Sequence, residues 1–218
     1  MATPRAATPA TRAETSSAGP MGLFRRREEG DGGRVDWLVV GLGNPGRKYE
    51  GTRHNVGFEV VALAAQRWDL PKAKQKFAGL YTEGRTAPGG PRVGVLLPQT
   101  CLTESGRSAG PARGSLHVPL DRVVAVHDEI DLPFARIESR LGGGLAGHNG
   151  LKSLERGLGG RDFRRLRVGV GRPDTTDPAV VVPYVLGRFD EPKDDVQRLV
   201  EDAVDELERL VTTAPVDA

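Results

Sequence analysis

Apolar residues along the chain fall into two kinds of pattern: short runs halted by glycine or by acids, and longer stretches with helical spacing. Trp37-Leu38-Val39-Val40 is a run of the first kind, stopped by Gly41 and therefore strand-like. Between 55 and 68, Val56, Val60, Leu63, Ala64 and Arg67 recur at intervals of three and four, which predicts a helix. Further strands are expected at 76–81, 92–97, 122–127, 136–140 and 165–170. A second helix should begin near Asn149, capped by that side chain, and stop at Gly157 or Gly159. The clearest helix spans 194–211, where Val196, Leu199, Val200, Ala203, Val204, Leu207, Leu210 and Val211 form one apolar stripe on an acidic background. Helices interspersed with apolar strands predict an α/β fold: a single-domain three-layer sandwich with a mixed central sheet flanked by helices.

The first 34 residues break this pattern. They are rich in Ala, Thr, Ser, Pro, Gly and Arg and have no period, so residues 1–34 are expected to be a disordered tail. That tail faintly resembles an organelle transit peptide, and a start nearer Met21 is an equal alternative. Residues 35–213 form the expected domain, with 214–218 a short C-terminal tail. No apolar run approaches the roughly 20 residues of a spanning helix, so no membrane association is expected. The lone Cys101 cannot make an internal disulfide, and no Cys/His cluster offers a zinc site, which suggests a reducing, cytoplasmic setting.

The net charge of +2 conceals a segregation. Residues 134–172 carry nine Lys/Arg against three Asp/Glu, whereas 190–218 carry three against ten. A basic face of this kind attracts phosphate backbones, although Arg164, Arg165 and Arg167 are equally compatible with a solvated strand surface.

Four segments could carry chemistry. Gly41-Leu42-Gly43-Asn44-Pro45-Gly46 formally matches the GxGxxG dinucleotide fingerprint, but no helix follows directly and no acidic residue ends a second strand at the required distance. A tight glycine turn accounts for the glycines and leaves Asn44 unexplained. His54, in Thr52-Arg53-His54-Asn55, sits just before the first helix and could serve as a base. His127-Asp128-Glu129-Ile130-Asp131 ends a buried strand in three acids. One carboxylate could orient His54, or the three together could hold a divalent metal. Finally, Gly142-Gly143-Gly144-Leu145-Ala146-Gly147-His148-Asn149 leads into a helix and could receive an anion, with Arg140 and Arg167 completing a phosphate clamp.

Taken in order, GLGNPG with TRHNVGF, KFAG, LLPQT followed by SG, HDEIDLPF, GGGLAGHNGLKSL, RLRVGVGRP and YVLGRF resemble the bacterial-type peptidyl-tRNA hydrolase family over 37–189. The resemblance implies metal-free, cofactor-free hydrolysis of the ester between peptide and tRNA, by a monomer that binds the acceptor stem and 3′ CCA end. It implies that His54 is the general base and Asp128 its partner. Asn44, Tyr49, Leu102, Thr103, His148 and Asn149 would meet the substrate, and Arg140 and Arg167 the tRNA phosphate. One segment departs from the family. Where its members carry an aromatic residue, Met and Asn, this chain has Cys101, Leu102 and Thr103, which predicts a weaker hydrolase. Cys101 as a thiol nucleophile is a minor alternative, as is an RNA-binding relative with little or no catalysis.

Overall fold

The computed structural model describes residues 33–213, so most of the expected 1–34 tail, and all of 214–218, lie outside the described residues. Seven strands, β1 (Trp37–Gly41), β2 (Lys74–Lys76), β3 (Gly79–Arg85), β4 (Arg92–Pro98), β5 (Val123–Glu129), β6 (Ile137–Leu141) and β7 (Arg164–Gly169), form one sheet in the order β2-β3-β4-β1-β5-β7-β6. β4, β1, β5 and β7 run parallel, while β2, β3 and β6 are antiparallel additions at the edges. Five helices accompany it: α1 (Val56–Arg67), α2 (Gly106–Leu116), α3 (Asn149–Leu158), α4 (Pro178–Leu186) and α5 (Lys193–Thr213).

β1 is buried at every position because both faces are covered, as the central strand of a parallel sheet requires. Trp37 and Val39 pack with α1 and α5, while Leu38 and Val40 join the apolar residues of α2 and α3. The expected three layers and mixed sheet are therefore present. The stripe on α5 faces inward as predicted, with Leu199, Ala203, Val204 and Leu207 all buried. No described helix is long and apolar enough to cross a membrane.

The structure differs from the sequence expectations at four places. The strand expected at 76–81 is a hairpin: Phe77 and Ala78 both take positive φ, 56° and 52°, the twist-matched geometry of a two-residue turn between β2 and β3. The cap of α3 is His148, whose side chain accepts the Leu151 N–H, and Asn149 is already helical. α2 and α4 are additional helices. Gly110, Pro111 and Gly114 mask α2, and Pro183 inside α4 masks the other, because both residue types score against helix in sequence.

Glycine makes the close approach of α2 to α3 possible. A Cβ on Gly106 would lie 2.0 Å from the Ser153 carbonyl oxygen, and one on Gly157 would lie 2.3 Å from the Gly106 oxygen. The chain leaves β1 toward α1 and then fills both sides of that strand, so a crevice opens beyond the C-terminal ends of β1 and β5.

Candidate active site

Two backbone approaches bring the sequence-predicted histidine and carboxylate together. α1 begins against the ends of β1 and β5 so closely that a Cβ on Gly57 would stand 2.3 Å from the Val126 carbonyl oxygen and 2.6 Å from that of Leu42. Only glycine fits there, and the 3-10 turn Arg53–Asn55 immediately before α1 is thereby laid over the end of β5. His54 Nδ1 then lies 2.8 and 2.9 Å from the two carboxylate oxygens of Asp128. Asp128 is 2% exposed, whereas His54 keeps one side open to the cleft.

Asp128 has a second partner. His148 Nε2 lies 3.0 Å from Asp128 Oδ1, and the His54 and His148 rings are 5.2 Å apart between centroids. The hydrogen-bond pattern fixes where the protons are. His148 Nδ1 accepts the Leu151 N–H at 3.3 Å, so its ring proton sits on Nε2 and is donated to Asp128. The ionised Asp128 likewise takes the Nδ1–H of His54, leaving His54 Nε2 with a lone pair toward the cleft. That is the tautomer a general base needs.

Burial disfavours the imidazolium of His54, but the charge of Asp128 and its hydrogen bond outweigh this and raise the histidine above its ordinary value of 6.5. Burial likewise acts to raise Asp128, yet the two histidines hold it well below the usual carboxylate range. The His127 ring is buried with its centroid 5.0 Å from that of His148. Burial and the nearby His148 push it down to about 3, so it stays neutral while its Nδ1–H donates to the Asp128 carbonyl oxygen.

The cleft around this pair has a volume of about 550 Å³. Asn44, Tyr49, Leu102, Thr103, His148 and Asn149 all line it with His54 and Asp128. The Oδ1 of Asn44 accepts the Leu102 N–H at 2.9 Å, so its amide NH2 is left to face the cleft. Thr103 and Asn149 are exposed. The far wall is α4, whose Val181, Val182, Val185 and Leu186 face the same space.

Other candidates separate. Gly46, at φ 107°, leads into a 3-10 turn rather than a helix, so GLGNPG lacks the helix N-terminus that a dinucleotide pyrophosphate needs. The three acids after His127 diverge: Asp128 meets the histidines, Glu129 meets Arg167 at 3.1 Å, and Asp131 meets Arg172 at 2.7 Å. A three-carboxylate metal site is therefore overturned. His54, Asp128 and His148 do bring ligand atoms within 4.8 Å of one another. A cation there would have to displace the proton on His148 Nε2 while Nδ1 is occupied by a backbone N–H, so the trio suits a hydrogen-bonded network better than a metal cage. Cys101 is exposed and outside the cleft lining.

The basic clamp is altered in detail. Arg167 is paired with Glu129 at 3.1 Å and Glu138 at 2.8 Å, so its charge is already balanced. Arg140 is exposed, and its guanidinium packs over Gly143. The buried Arg165 donates to the carbonyl oxygens of Gly143, at 2.8 Å, and of Gly144, and so holds the glycine loop rather than the solvent.

Sequence reasoning missed Arg165, α4 and Asn55. Asn55 brackets the Asn44 backbone, accepting its N–H and donating to its carbonyl, both at 2.9 Å. Its position beside a candidate base was the available signal.

A family model described as peptidyl-tRNA hydrolase matches residues 38–218. A peptidyl-tRNA hydrolase of Shouchella clausii is 47% identical over 152 residues, covering 70% of this chain and 80% of that protein. One from Geobacillus thermodenitrificans is 42% identical over 81% of this chain and 93% of its own. The crystal structure of peptidyl-tRNA hydrolase from Acinetobacter baumannii superposes with a TM-score of 0.71 at 34% identity, covering 83% of this chain and 91% of that one.

Proposed function

This chain belongs to the peptidyl-tRNA hydrolase family and hydrolyses the ester of peptidyl-tRNA, and we propose that His54, held by Asp128, is the base that drives the reaction. His54 Nε2 takes a proton from water, and the resulting hydroxide adds to the ester carbonyl carbon. Asp128 stabilises the imidazolium formed in that step, as its short contacts to Nδ1 support. The negative charge that develops on the carbonyl oxygen is met by amide N–H groups, of which the unengaged NH2 of Asn44 and the cleft-lining Asn149 are the best placed. Collapse of the tetrahedral adduct breaks the bond to the 3′-ribose oxygen, which leaves with the proton that His54 carries. The products are a free peptide carboxylate and tRNA. No metal or cofactor takes part in this sequence.

The acceptor stem and 3′ CCA end are read by phosphate and shape, with the exposed Arg140 the leading contact and Arg167 contributing only by exchanging a carboxylate for a phosphate. The enzyme acts as a monomer in the cytoplasm.

The observation that carries this reading is the paired contact of His54 Nδ1 with Asp128 at 2.8 and 2.9 Å. The test is cleavage of N-acetyl-aminoacyl-tRNA in EDTA by the wild type and by His54→Ala. EDTA-resistant cleavage that disappears with His54 supports the reading. Cleavage that survives the substitution, or that EDTA stops, refutes it.

A further inference from the structure

The residue before the base is an arginine that is almost wholly buried. Arg53 is 3% exposed, an unusual place for a guanidinium in a turn, and its environment spans two elements. Its carbon Cζ stands 4.2 Å from the centroid of the Tyr184 ring and 5.3 Å from that of Phe189, so aromatic rings from the end of α4 and the segment after it stack around the cation. One terminal nitrogen donates to the Arg188 carbonyl oxygen. The other reaches Asp190 at 3.0 Å and Glu191 at 3.3 Å.

The backbone follows the same route. The Arg53 N–H donates to the Gly187 carbonyl oxygen at 3.0 Å, and Thr52 forms an isolated antiparallel bridge with Arg188. The C-terminal end of α4 is thus tied to the turn that bears His54, and Tyr184 anchors it further through its hydroxyl to the Val170 carbonyl oxygen at 2.7 Å. The opposite end of α4 is free of such ties: 178–180 are all exposed, with Asp177 as its cap.

We propose that Arg53 is a positioning residue for the hydrolysis, fixing the turn that presents His54 to Asp128 by clamping it to the C-terminal end of α4, the helix that walls the cleft. The clamp rests on the reading of His54 as the base. Its planar cation is the part lysine cannot replace, since a guanidinium can stack between two rings and still donate in its own plane.

The chemistry of the proposal sets its readouts. His54 faces Asp128 and His148, and Arg53 itself faces Asp190 and Glu191. If the turn loosens, His54 stays attached to a folded protein but its contact with Asp128 lengthens. Turnover should then fall by about tenfold or more, because a base displaced by a fraction of an ångström loses most of its effect. The acidic limb of the pH profile should also move down, because Asp128 is what raises His54.

The experiment compares wild type, Arg53→Lys, Phe189→Leu and His54→Ala on N-acetyl-aminoacyl-tRNA, measuring kcat, KM and the pH profile of kcat/KM alongside circular dichroism. The expected result is a folded Arg53→Lys with lower kcat and a lower acidic limb, and a smaller change in the same direction for Phe189→Leu, which removes one ring face and leaves the charge. Folded variants with wild-type kcat and an unmoved limb overturn the proposal, as does a change in KM alone. Should Arg53→Lys not fold, Phe189→Leu decides the matter by the same two readouts. His54→Ala separates the two levels: if it retains activity, the assignment of the base fails, whereas its inactivity beside an unaffected Arg53→Lys refutes only the clamp.

Discussion

Replacing Asp128 with asparagine changes one atom's chemistry in a site where the neighbouring protons are already assigned. Asp128 accepts from both His54 Nδ1 and His148 Nε2. An asparagine that keeps its oxygen at the Oδ1 position still reaches both rings, at 2.8 and 3.0 Å, but its NH2 then replaces Oδ2, 2.9 Å from His54 Nδ1, and opposes the proton there. His148 cannot give way, because the Leu151 N–H occupies its Nδ1 and pins the proton on Nε2. The amide oxygen therefore turns to His148, and the NH2 faces His54. Relieving that opposition moves the His54 proton from Nδ1 to Nε2, the nitrogen that should take a proton from water. Holding a catalytic histidine in the wrong tautomer lowers turnover by about 10³- to 10⁴-fold, or about 4–5 kcal/mol. The assay is kcat for N-acetyl-aminoacyl-tRNA cleavage as a function of pH. In the wild type, activity requires neutral His54 and is lost as pH falls through a value above 6.5, since Asp128 raises the histidine. In Asp128→Asn only burial remains, so the residual activity should persist to lower pH. A further arm isolates the tautomer argument: His148→Ala should cost less in the Asp128→Asn background than in the wild type, because the amide oxygen is then free to turn back to His54. A single substitution within tenfold of wild type, or strictly multiplicative losses in the double variant, would refute the reasoning.

Thr103→Asn, which supplies an amide on the exposed cleft wall, should raise kcat by about one to two decades if a positioning hydrogen bond of a few kcal/mol is missing, and an unchanged kcat disposes of that account. Arg140→Ala should weaken substrate binding without changing kcat and should lower the slope of log KM against log salt by about 1, the signature of a lost phosphate contact. Gly106→Ala places a methyl group 2.0 Å from the Ser153 carbonyl oxygen, so α2 must move off α3; a loss of about 2–3 kcal/mol and a melting point lower by about 5–10 °C are expected by thermal denaturation.

What the sequence revealed about the fold divides along a physical line. α5 was legible because eight apolar residues on one face leave no alternative partner but the sheet, and β1 because a wholly apolar run of that length belongs between two helical layers. α2 was not, because its helix is held by what it touches. Gly106 and Gly110 let its backbone press against Gly157, and that tertiary contact outweighs the poor propensity of Gly and Pro. The turn at Phe77 and Ala78 was hidden for a related reason: two positive φ angles on non-glycine residues are imposed by pairing of β2 with β3, not chosen by the residues.

The site divides in the same way. Residue types announced the base and its carboxylate, since a histidine before a helix and an acid at a strand end are both suited to their tasks. Charge alone could not sort the arginines. Arg165 and Arg167 belong to the same basic stretch as Arg140, yet one is spent on the carbonyl oxygens of Gly143 and Gly144 and the other on Glu129 and Glu138. Nor could any sequence pattern show that the cap of α3 is His148. That capping bond is the reason the ring can only donate to Asp128, and Asp128 in turn can only accept from His54. The helix cap thus gives Asp128 a second donor that favours its ionised form, and that ionised acceptor fixes the proton on His54 Nδ1 and leaves the lone pair on Nε2 for the cleft.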